Sequence, residues 1–387
     1  MQYREDRVSG NKLSILGLGC MRFPRDKAET ERMVLAAIDG GVNFFDTAYI
    51  YPGSENTLGA ILSKHNKRKD IYIATKLPLV MCKRVEDFDK YFNEQLKRLS
   101  TDYIDYYFMH SVSDFAQWES FQKMGIEQWI ADKKKAGLIR RIGFSFHGTC
   151  DEYLKVLDSY AWEFCMIQYN YYDENYQAGK KGLLAAAEKG IPVMVMEPLL
   201  GGKLATGLPK QAVEMFAKVN AAPSGADWAF RWLWNQSEVT VVLSGMNSVQ
   251  QMLSNIRSAS GFQPLTGEEL AIYAGVVDLF RKTYKIPCTG CNYCIPCHKG
   301  INIPSCFSAY NTLYTQGFIT GMTLYMTSTA AITKHFTSPR VCNQCGVCEK
   351  HCPQHIPIRD ALKKVAGRFE PLPIRLLVAL ARRIIAR

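Results

Sequence analysis

The chain has 387 residues, a hydrophobic fraction of 47% and a formal net charge of +11 at pH 7, which predicts one large domain and a small one with enough apolar sequence to bury a core. The first ten residues do not resemble an export signal, and the absence of 18 consecutive apolar residues predicts no transmembrane segment. Thirteen cysteines without such a signal predict a reducing cytoplasm, and the basic charge without a recognition motif predicts no nucleic-acid partner.

Residues 1–265 alternate short β-branched or aromatic runs with amphipathic stretches, the pattern of βα units. Eight strands are predicted, at Leu13–Leu18, Asn43–Ala48, Ile71–Lys76, Tyr103–His110, Ile139–Phe146, Cys165–Tyr169, Pro192–Met196 and Val239–Ser244. Helical patterns lie between them, at Glu31–Asp39, Val85–Leu99, Leu183–Lys189 and Val249–Ser258. This count predicts an α/β fold, a (β/α)8 TIM barrel. An open doubly wound sheet is the alternative, but no G-x-G-x-x-G follows the first strand.

Glu268–Lys282 predicts a further helix that leads out of the barrel. Beyond it lie two runs of four cysteines, Cys288, Cys291, Cys294 and Cys297, then Cys342, Cys345, Cys348 and Cys352. Three thiolates at this spacing surround one face of a 4Fe-4S cluster, and the fourth Cys of each run can ligate the other cluster. Zinc is the alternative, although zinc sites favour two separated Cys pairs, and disulfides are less favoured still.

The region from Ile286 onward carries 12 Lys and Arg against 3 Asp and Glu. This excess predicts compensation of cluster charge or docking of an acidic electron carrier. Gly300–Thr333 has no charged residue but many polar ones, which predicts buried helix and loop between the cysteine runs. Leu372–Arg387 predicts an amphipathic basic helix packed on its own protein, with binding to a membrane surface as the alternative. We therefore predict divisions at residues 1–283, 284–370 and 371–387.

Polar residues of catalytic type fall at the ends of successive predicted strands. Asp46 lies near the end of the second strand, Lys76 ends the third and His110 ends the fourth, while Tyr51 follows in the loop after Asp46. Each alone has a structural explanation, such as a capping or core role. In a TIM barrel, however, the C-terminal strand ends form the active site, so their combination indicates one.

Several segments carry a resemblance to a known family. N-F-F-D-T-A-Y-I-Y (43–51), A-T-K (74–76), D-Y-Y-F-M-H (105–110), M-I-Q-Y-N (166–170) and M-E-P-L-L-G-G-K-L (196–204) resemble the aldo-keto reductases. G-L-G-C-M-R-F-P (17–24) and both cysteine runs resemble the bacterial branch with a C-terminal α-helical, ferredoxin-like iron-sulfur domain. The resemblance implies that Asp46, Tyr51, Lys76 and His110 are the catalytic tetrad. Tyr51 would donate a proton, assisted by Lys76 and Asp46, while His110 polarises the carbonyl. Tyr49 competes with Tyr51 on chemistry alone.

The same resemblance implies a set of residues that bind a nicotinamide cofactor: Ser145, Gln168, Asn170, Ser244, Gly245, Met246, Gln251 and Asn255. The last loop, residues 245–249, lacks the Arg or Lys expected to pair a 2′-phosphate, and strand five ends in Ser-Phe-His where many members have Ser-Asn. NAD(H), NADP(H) and another donor therefore all stay open. We expect substrate specificity to be set by side chains in loops, such as Met81, Phe115, Trp118 and Tyr171.

These observations together predict a cytoplasmic oxidoreductase that reduces a small-molecule carbonyl-type group and carries two 4Fe-4S clusters. Cluster one would use Cys288, Cys291, Cys294 and Cys352, and cluster two Cys342, Cys345, Cys348 and Cys297. The expected partner is an acidic carrier of ferredoxin or flavodoxin type. One alternative is an electron-transfer or binding protein whose barrel no longer performs nicotinamide chemistry, and another is a reductase fed through its clusters. Purely structural clusters are a third.

Overall fold

The computed structural model describes residues 1–329 and 337–385, so the predictions for residues 330–333 and 386–387 lie outside it. The strands are β1 Tyr3–Glu5, β2 Lys12–Ser14, β3 Leu16–Gly19, β4 Phe44–Asp46, β5 Tyr72–Leu77, β6 Ile104–Val112, β7 Ile139–Phe146, β8 Phe164–Gln168, β9 Val193–Met196 and β10 Val239–Ser244. The helices are α1 Lys27–Asp39, α2 Ser54–Lys64, α3 Glu86–Leu99, α4 Phe115–Lys123, α5 Ile126–Lys135, α6 Cys150–Asp158, α7 Gly179–Glu188, α8 Lys203–Thr206, α9 Lys210–Val219, α10 Gly225–Trp234, α11 Val249–Ser260, α12 Gly267–Thr283, α13 Ile303–Thr315, α14 Phe318–Ser328, α15 Val347–Lys350, α16 Ile358–Phe369 and α17 Leu372–Ile385.

Strands β3 to β10 pair in parallel and in sequence order, and β10 closes on β3. The predicted barrel is therefore confirmed, and the open sheet is wrong. Its interior is filled by apolar and aromatic side chains, with Phe44, Tyr106 and Phe164 in edge-to-face contact at 5.2 and 5.0 Å between ring centroids. Because this interior is packed, polar chemistry is confined to the strand ends.

A short hairpin precedes the barrel. β1 and β2 pair antiparallel, with Tyr3 opposite Ser14. The first predicted strand, Leu13–Leu18, is in fact divided between β2 and β3. The break between them, at Ile15, lies inside a mostly apolar run, so the local pattern does not reveal it.

Internal contacts divide the chain into two compact units: Met1–Leu199 with Ala226–Leu265, here the barrel unit, and Leu200–Gly225 with Thr266–Arg387, here the second unit. In the second unit α9 packs on α12, where Phe216 meets Tyr273 at 5.5 Å between ring centroids. These contacts group α12 and residues 200–225 with the cysteine region, whereas the sequence placed them before residue 284. The predicted division into folding domains stays a prediction.

The second unit has its own apolar core. Helices α13 and α16 contribute to it, and Tyr325 stacks on Phe369 at 4.5 Å between ring centroids. The predicted tail helix is present as α17, whose Leu372, Leu376 and Leu377 are more than half exposed. Within residues 1–329 and 337–385, no helix combines the length and apolar character needed to cross a membrane.

Candidate active site and cysteine loops

The four residues of the predicted tetrad lie together at the C-terminal rim of the barrel. Lys76 in β5 donates hydrogen bonds to Asp46 Oδ1 at 2.5 Å and to the carbonyl of Thr47 at 2.6 Å. The Lys76 ammonium lies 5.1 Å from the centroid of the Tyr51 ring, and the Tyr51 and His110 rings are 6.2 Å apart. The Lys76 ammonium, the Tyr51 phenol and the His110 imidazole are therefore neighbours at the rim.

A buried hydrogen-bond network supports the strand that carries Lys76, and sequence reasoning missed it. Gln95 in α3 donates to the carbonyl of Lys76 at 3.1 Å and to Glu55 Oε1 at 2.7 Å. Thr75 donates to the same carboxylate oxygen at 2.7 Å, and Tyr107 donates to Gln95 at 2.7 Å. Satisfied buried networks of this kind hold side chains in one arrangement.

Two ionisable side chains at the rim, His110 and Asp46, have shifted pKa values. Burial lowers the pKa of His110 well below its ordinary value, and the charges of Lys76 and His147 lower it further, so the imidazole is neutral at neutral pH. Burial also raises the pKa of Asp46, which the ammonium of Lys76 opposes. A neutral His110 can donate an N–H hydrogen bond but is a poor source of a full proton.

The two competing tyrosines have different surroundings. Tyr49 packs edge-to-face on Tyr91, with ring centroids 4.9 Å apart, and the guanidinium of Arg98 lies 4.0 Å from its ring centroid. Tyr51 instead faces Lys76 and His110. The geometry therefore favours Tyr51, as the family spacing implied.

The residues predicted to face a nicotinamide amide are buried and hydrogen-bonded within the protein. Ser145 accepts a hydrogen bond from the Ser111 amide at 2.8 Å. Gln168 donates to Asp173 at 3.0 Å. Asn170 donates to the carbonyl of Glu197 at 3.0 Å, and its oxygen accepts from the amides of residues 172 and 173. In this arrangement Asn170 primarily shapes the loop after β8.

The predicted phosphate-facing residues lie at the end of β10 and along α11. Asn255 donates to Ser244 at 3.2 Å, and both side chains are buried. Gly245 is exposed and Met246 is buried. Gln251 accepts from the Asn247 amide at 3.0 Å. Sequence reasoning missed a basic neighbour, since Arg22 Cδ lies 4.0 Å from where a Cβ on Gly245 would be.

The two cysteine loops share one backbone conformation. In the first, Gly290 and Asn292 have left-handed φ values of +68° and +67°; in the second, Gln344 and Gly346 have +62° and +76°. In each loop these are the second and fourth residues after the first Cys. Left-handed residues alternating with right-handed ones turn successive amides inward, which makes concave anion sites used for phosphates and iron-sulfur clusters. Gly and Asn at these positions were a sequence signal for this conformation.

The thiols form two groups. Cys288 and Cys294 are each influenced by the charges of Cys291 and Cys352. Cys348 is likewise influenced by Cys342 and Cys345, and a cavity of about 340 Å³ is lined by Cys297 together with these three and Cys294. The crossed ligand sets of two clusters stay a prediction.

Burial raises the pKa of Cys288 to about 11 and that of Cys294 to about 12, so these thiols need a cation to ionise at neutral pH. Backbone amides at residues 354, 355 and 356 hydrogen-bond the Cys352 sulfur, and the Gly290 amide does so for Cys288. Among the described residues, no three His, Cys, Asp or Glu side chains meet closely enough to hold a single metal ion. A four-iron cluster separates its thiolate ligands more widely than one ion does.

The glycine turn after β9 packs closely against the first cysteine loop. Gly201 approaches the first cysteine loop so closely that a Cβ there would lie 2.0 Å from the carbonyl oxygen of Thr289. A side chain larger than glycine at position 201 would therefore clash with that loop, within the second unit.

The expectation that Trp118 lies in a specificity loop is wrong, because it is a fully buried residue of α4 packed against Trp162.

Comparison with known proteins agrees with the barrel. The model of the aldo/keto reductase family matches residues 15–278, and the chain therefore belongs to this family. An uncharacterized oxidoreductase of Bacillus subtilis (strain 168) is 26% identical over 309 residues, covering 70% of this chain and 94% of that protein. An aldo-keto reductase of Strobilurus tenacellus is 26% identical over 314 residues, covering 68% and 89%.

A solved structure of an aldo-keto reductase from Bacillus halodurans, in its holo form, matches with a TM-score of 0.61 and 24% identity. It covers 71% of this chain and 96% of that protein, and at this identity it supports the fold alone. Family membership makes the chain an oxidoreductase of the nicotinamide-dependent type. The matched residues end before the first cysteine run, so they do not bear on the clusters.

Proposed function

We propose that the barrel reduces a carbonyl-type group of a small molecule with Tyr51 as the proton donor, and that the second unit carries two 4Fe-4S clusters. A bound nicotinamide cofactor supplies the hydride. The observation that carries this proposal is the Lys76 ammonium, held by Asp46 at 2.5 Å and placed 5.1 Å from the Tyr51 ring.

Carbonyl reduction needs a proton at the oxygen that becomes an alkoxide. A phenol has an ordinary pKa of about 10, so its anion must be stabilised for it to donate near neutrality. The buried cation of Lys76 supplies that stabilisation to Tyr51, and Asp46 holds Lys76 in place by a hydrogen bond. The neutral His110 donates an N–H hydrogen bond to the carbonyl oxygen and orients it.

The test is turnover of a panel of aldehydes, ketones and quinones by anaerobically purified protein with NADH and NADPH. Tyr51→Phe is expected to lower the best rate by about 10²-fold or more, the scale of a positioned general acid. Tyr49→Phe is the matched control, because its ring contacts Tyr91 and Arg98 instead of the tetrad. Loss of turnover in the control alone would move the acid to Tyr49.

The cluster assignment is supported by the chemistry of the donor set. Cluster one would be held by Cys288, Cys291, Cys294 and Cys352, and cluster two by Cys342, Cys345, Cys348 and Cys297. Left-handed residues at matching positions of the two loops are typical of backbone that turns amides toward an anion, and crossed ligation would account for the mutual influence of the thiols within each set.

The cofactor preference also forms part of the proposal. Asn247 and Ser248, at the start of α11, offer hydrogen bonds without charge to a 2′-phosphate. A charge-assisted contact is worth about 1.5–3 kcal/mol, so the lack of one from these two residues favours NADH at least as much as NADPH, and Arg22 beside Gly245 is the cation that would oppose this preference.

An acidic electron carrier is the partner that the charge of the second unit favours. The excess of Lys and Arg after Ile286 would steer such a carrier, and the two clusters would pass its electrons. Reduction of the clusters by a low-potential ferredoxin should therefore slow steeply between 0.01 and 0.1 M salt, as the Debye length falls from about 30 to about 10 Å. Deleting residues 372–387 should weaken that salt dependence. A rate indifferent to salt would favour structural clusters.

One observation favours a second candidate function, a reductase fed through its clusters. The side-chain amides of Asn170 and Gln168 donate hydrogen bonds to the Glu197 carbonyl and to the Asp173 carboxylate. The family resemblance implies that these same two amides bind the nicotinamide amide. Deuterium transfer from labelled NADH to the reduced product would indicate the nicotinamide-dependent function, and product without deuterium would indicate reduction through the clusters.

A further inference from the structure

The loop between β4 and α2 carries Tyr51, and hydrogen bonds fix its course. The Tyr51 amide donates to the carbonyl of Ala48 at 3.0 Å, and the Tyr51 carbonyl accepts from the Ser54 amide at 3.1 Å. Arg98 in α3 donates to the carbonyl of Tyr49 at 3.2 Å, and its guanidinium lies over the Tyr49 ring. Arg98 therefore holds the turn that presents Tyr51.

Arg98 is in turn held by a buried carboxylate. Glu55, in the first turn of α2, is 1% exposed, and its Oε2 accepts at 3.3 Å from the same Nη1 atom of Arg98 that binds Tyr49. The guanidinium also donates to Glu94 at 3.2 Å, but Glu94 is 43% exposed, and ion pairs in contact with water contribute little. The contact with Glu55 is therefore the one that fixes Arg98.

The other oxygen of Glu55 binds the strand that carries Lys76. Glu55 Oε1 accepts from Thr75 and from Gln95, both at 2.7 Å. Gln95 also donates to the Lys76 carbonyl at 3.1 Å. One carboxylate therefore joins the strand of Lys76 to the guanidinium that holds the turn of Tyr51.

We propose that Glu55 and Arg98 are positioning residues that set the separation between the Lys76 ammonium and the Tyr51 phenol. The attraction between a cation and a developing phenolate falls with distance, so a loosened turn weakens the assistance that Tyr51 receives. Both residues act through Lys76 and Tyr51. This inference rests on the proposed donation of a proton by Tyr51.

Arg98→Lys in the full, cluster-loaded chain tests this role. Lysine keeps the positive charge beside Glu55 but lacks the planar fork of donors that reaches Glu55 and Tyr49 together. Reduction of para-nitrobenzaldehyde should slow about tenfold at saturating substrate and NADH, with KM changed less than about twofold. The pH above which the rate falls should rise by about one unit, because a less assisted phenol loses its proton at a higher pH.

Arg68→Lys is the matched control, because Arg68 also pairs with a buried carboxylate and lies over a tyrosine ring. Its guanidinium donates to Asp105 at 2.8 Å and lies 4.2 Å from the ring centroid of Tyr103. These contacts lie at the N-terminal end of β6, opposite the rim that carries the tetrad. The control should therefore lose stability without a change in the pH profile of reduction.

The ionisation of Tyr51 can also be followed without turnover, by fluorine NMR of protein that carries fluorotyrosine at position 51. Arg98→Lys should move this ionisation to higher pH. Glu55→Asp should do the same, because its side chain keeps the charge but is too short to reach Thr75 and Arg98 together. Both variants conserve charge, so a shift reports position and not a change in the local field.

Two results would refute the positioning role while leaving the proposed function intact. One is an unchanged rate and an unchanged ionisation of Tyr51 in Arg98→Lys and Glu55→Asp. The other is an equal shift of the pH profile in Arg68→Lys, which would assign the effect to general destabilisation. Wild-type turnover in Tyr51→Phe would instead refute the proposed proton donor, and the role of Glu55 and Arg98 with it.

Discussion

Replacing Lys76 with Met should impair both folding and chemistry, and the structure allows the two effects to be separated. The Lys76 and Asp46 side chains are 1% and 7% exposed and share a 2.5 Å hydrogen bond. Removing one partner leaves a buried carboxylate uncompensated, which costs about 3–5 kcal/mol of unfolding free energy. The same change leaves Tyr51 without a cation, so carbonyl reduction should fall at least about 10²-fold.

The double variant Asp46→Asn with Lys76→Met separates these effects. It removes both buried charges, so urea unfolding should show most of the lost stability recovered. Turnover should stay as low as in Lys76→Met, because the Tyr51 phenol is still unassisted. Recovery of turnover together with stability would refute the reasoning, since it would mean that Lys76 acts only on the fold.

Three other predictions concern the clusters and the rim. Anaerobically reconstituted protein should contain about eight iron and eight acid-labile sulfides per chain, and four iron or stoichiometric zinc would contradict the assignment. Gly201→Ala should lower the iron content, because its Cβ would lie 2.0 Å from Thr289 O; Gly202→Ala, also at positive φ but with open space around it, should keep it. The pKa of His110 lies below its unfolded value of about 6.5, so the unfolded chain binds more protons just below that pH. Unfolding free energy should therefore fall more steeply from pH 7 to 5 in the wild type than in His110→Gln, and parallel profiles would contradict this.

Much of the barrel was predictable because its strands are buried on both sides and form apolar runs. Ile139–Phe146 and Val239–Ser244 match the predicted bounds. Residues 200–225 were not placed with the second unit, because their grouping depends on tertiary contacts such as Phe216 with Tyr273. Local pattern carries no information about such distant partners.

The candidate site was likewise predictable where it depends on local pattern and unpredictable where it depends on tertiary contacts. Asp46 ends β4, whereas Lys76 and His110 lie one and two residues before the ends of β5 and β6, so the sequence predicted their place near the rim but not the strand bounds. Chemistry could not choose Tyr51 over Tyr49, because tertiary packing separates them: Tyr49 packs on Arg98 and Tyr91, whereas Tyr51 faces Lys76 and His110. The hydrogen bond between Glu29 and the Val249 amide could not be predicted, because the two residues lie 220 positions apart in the sequence.

The most direct test of the account follows a hydrogen atom. Protein loaded with NADH deuterated at the transferable C4 position is given a ketone substrate under single-turnover conditions, and the alcohol is analysed by mass spectrometry. The account predicts one deuterium on the carbinol carbon in the wild type and about 10²-fold slower formation of the same product in Tyr51→Phe. Alcohol that forms at the wild-type rate without deuterium would contradict direct hydride transfer and would favour reduction through the clusters.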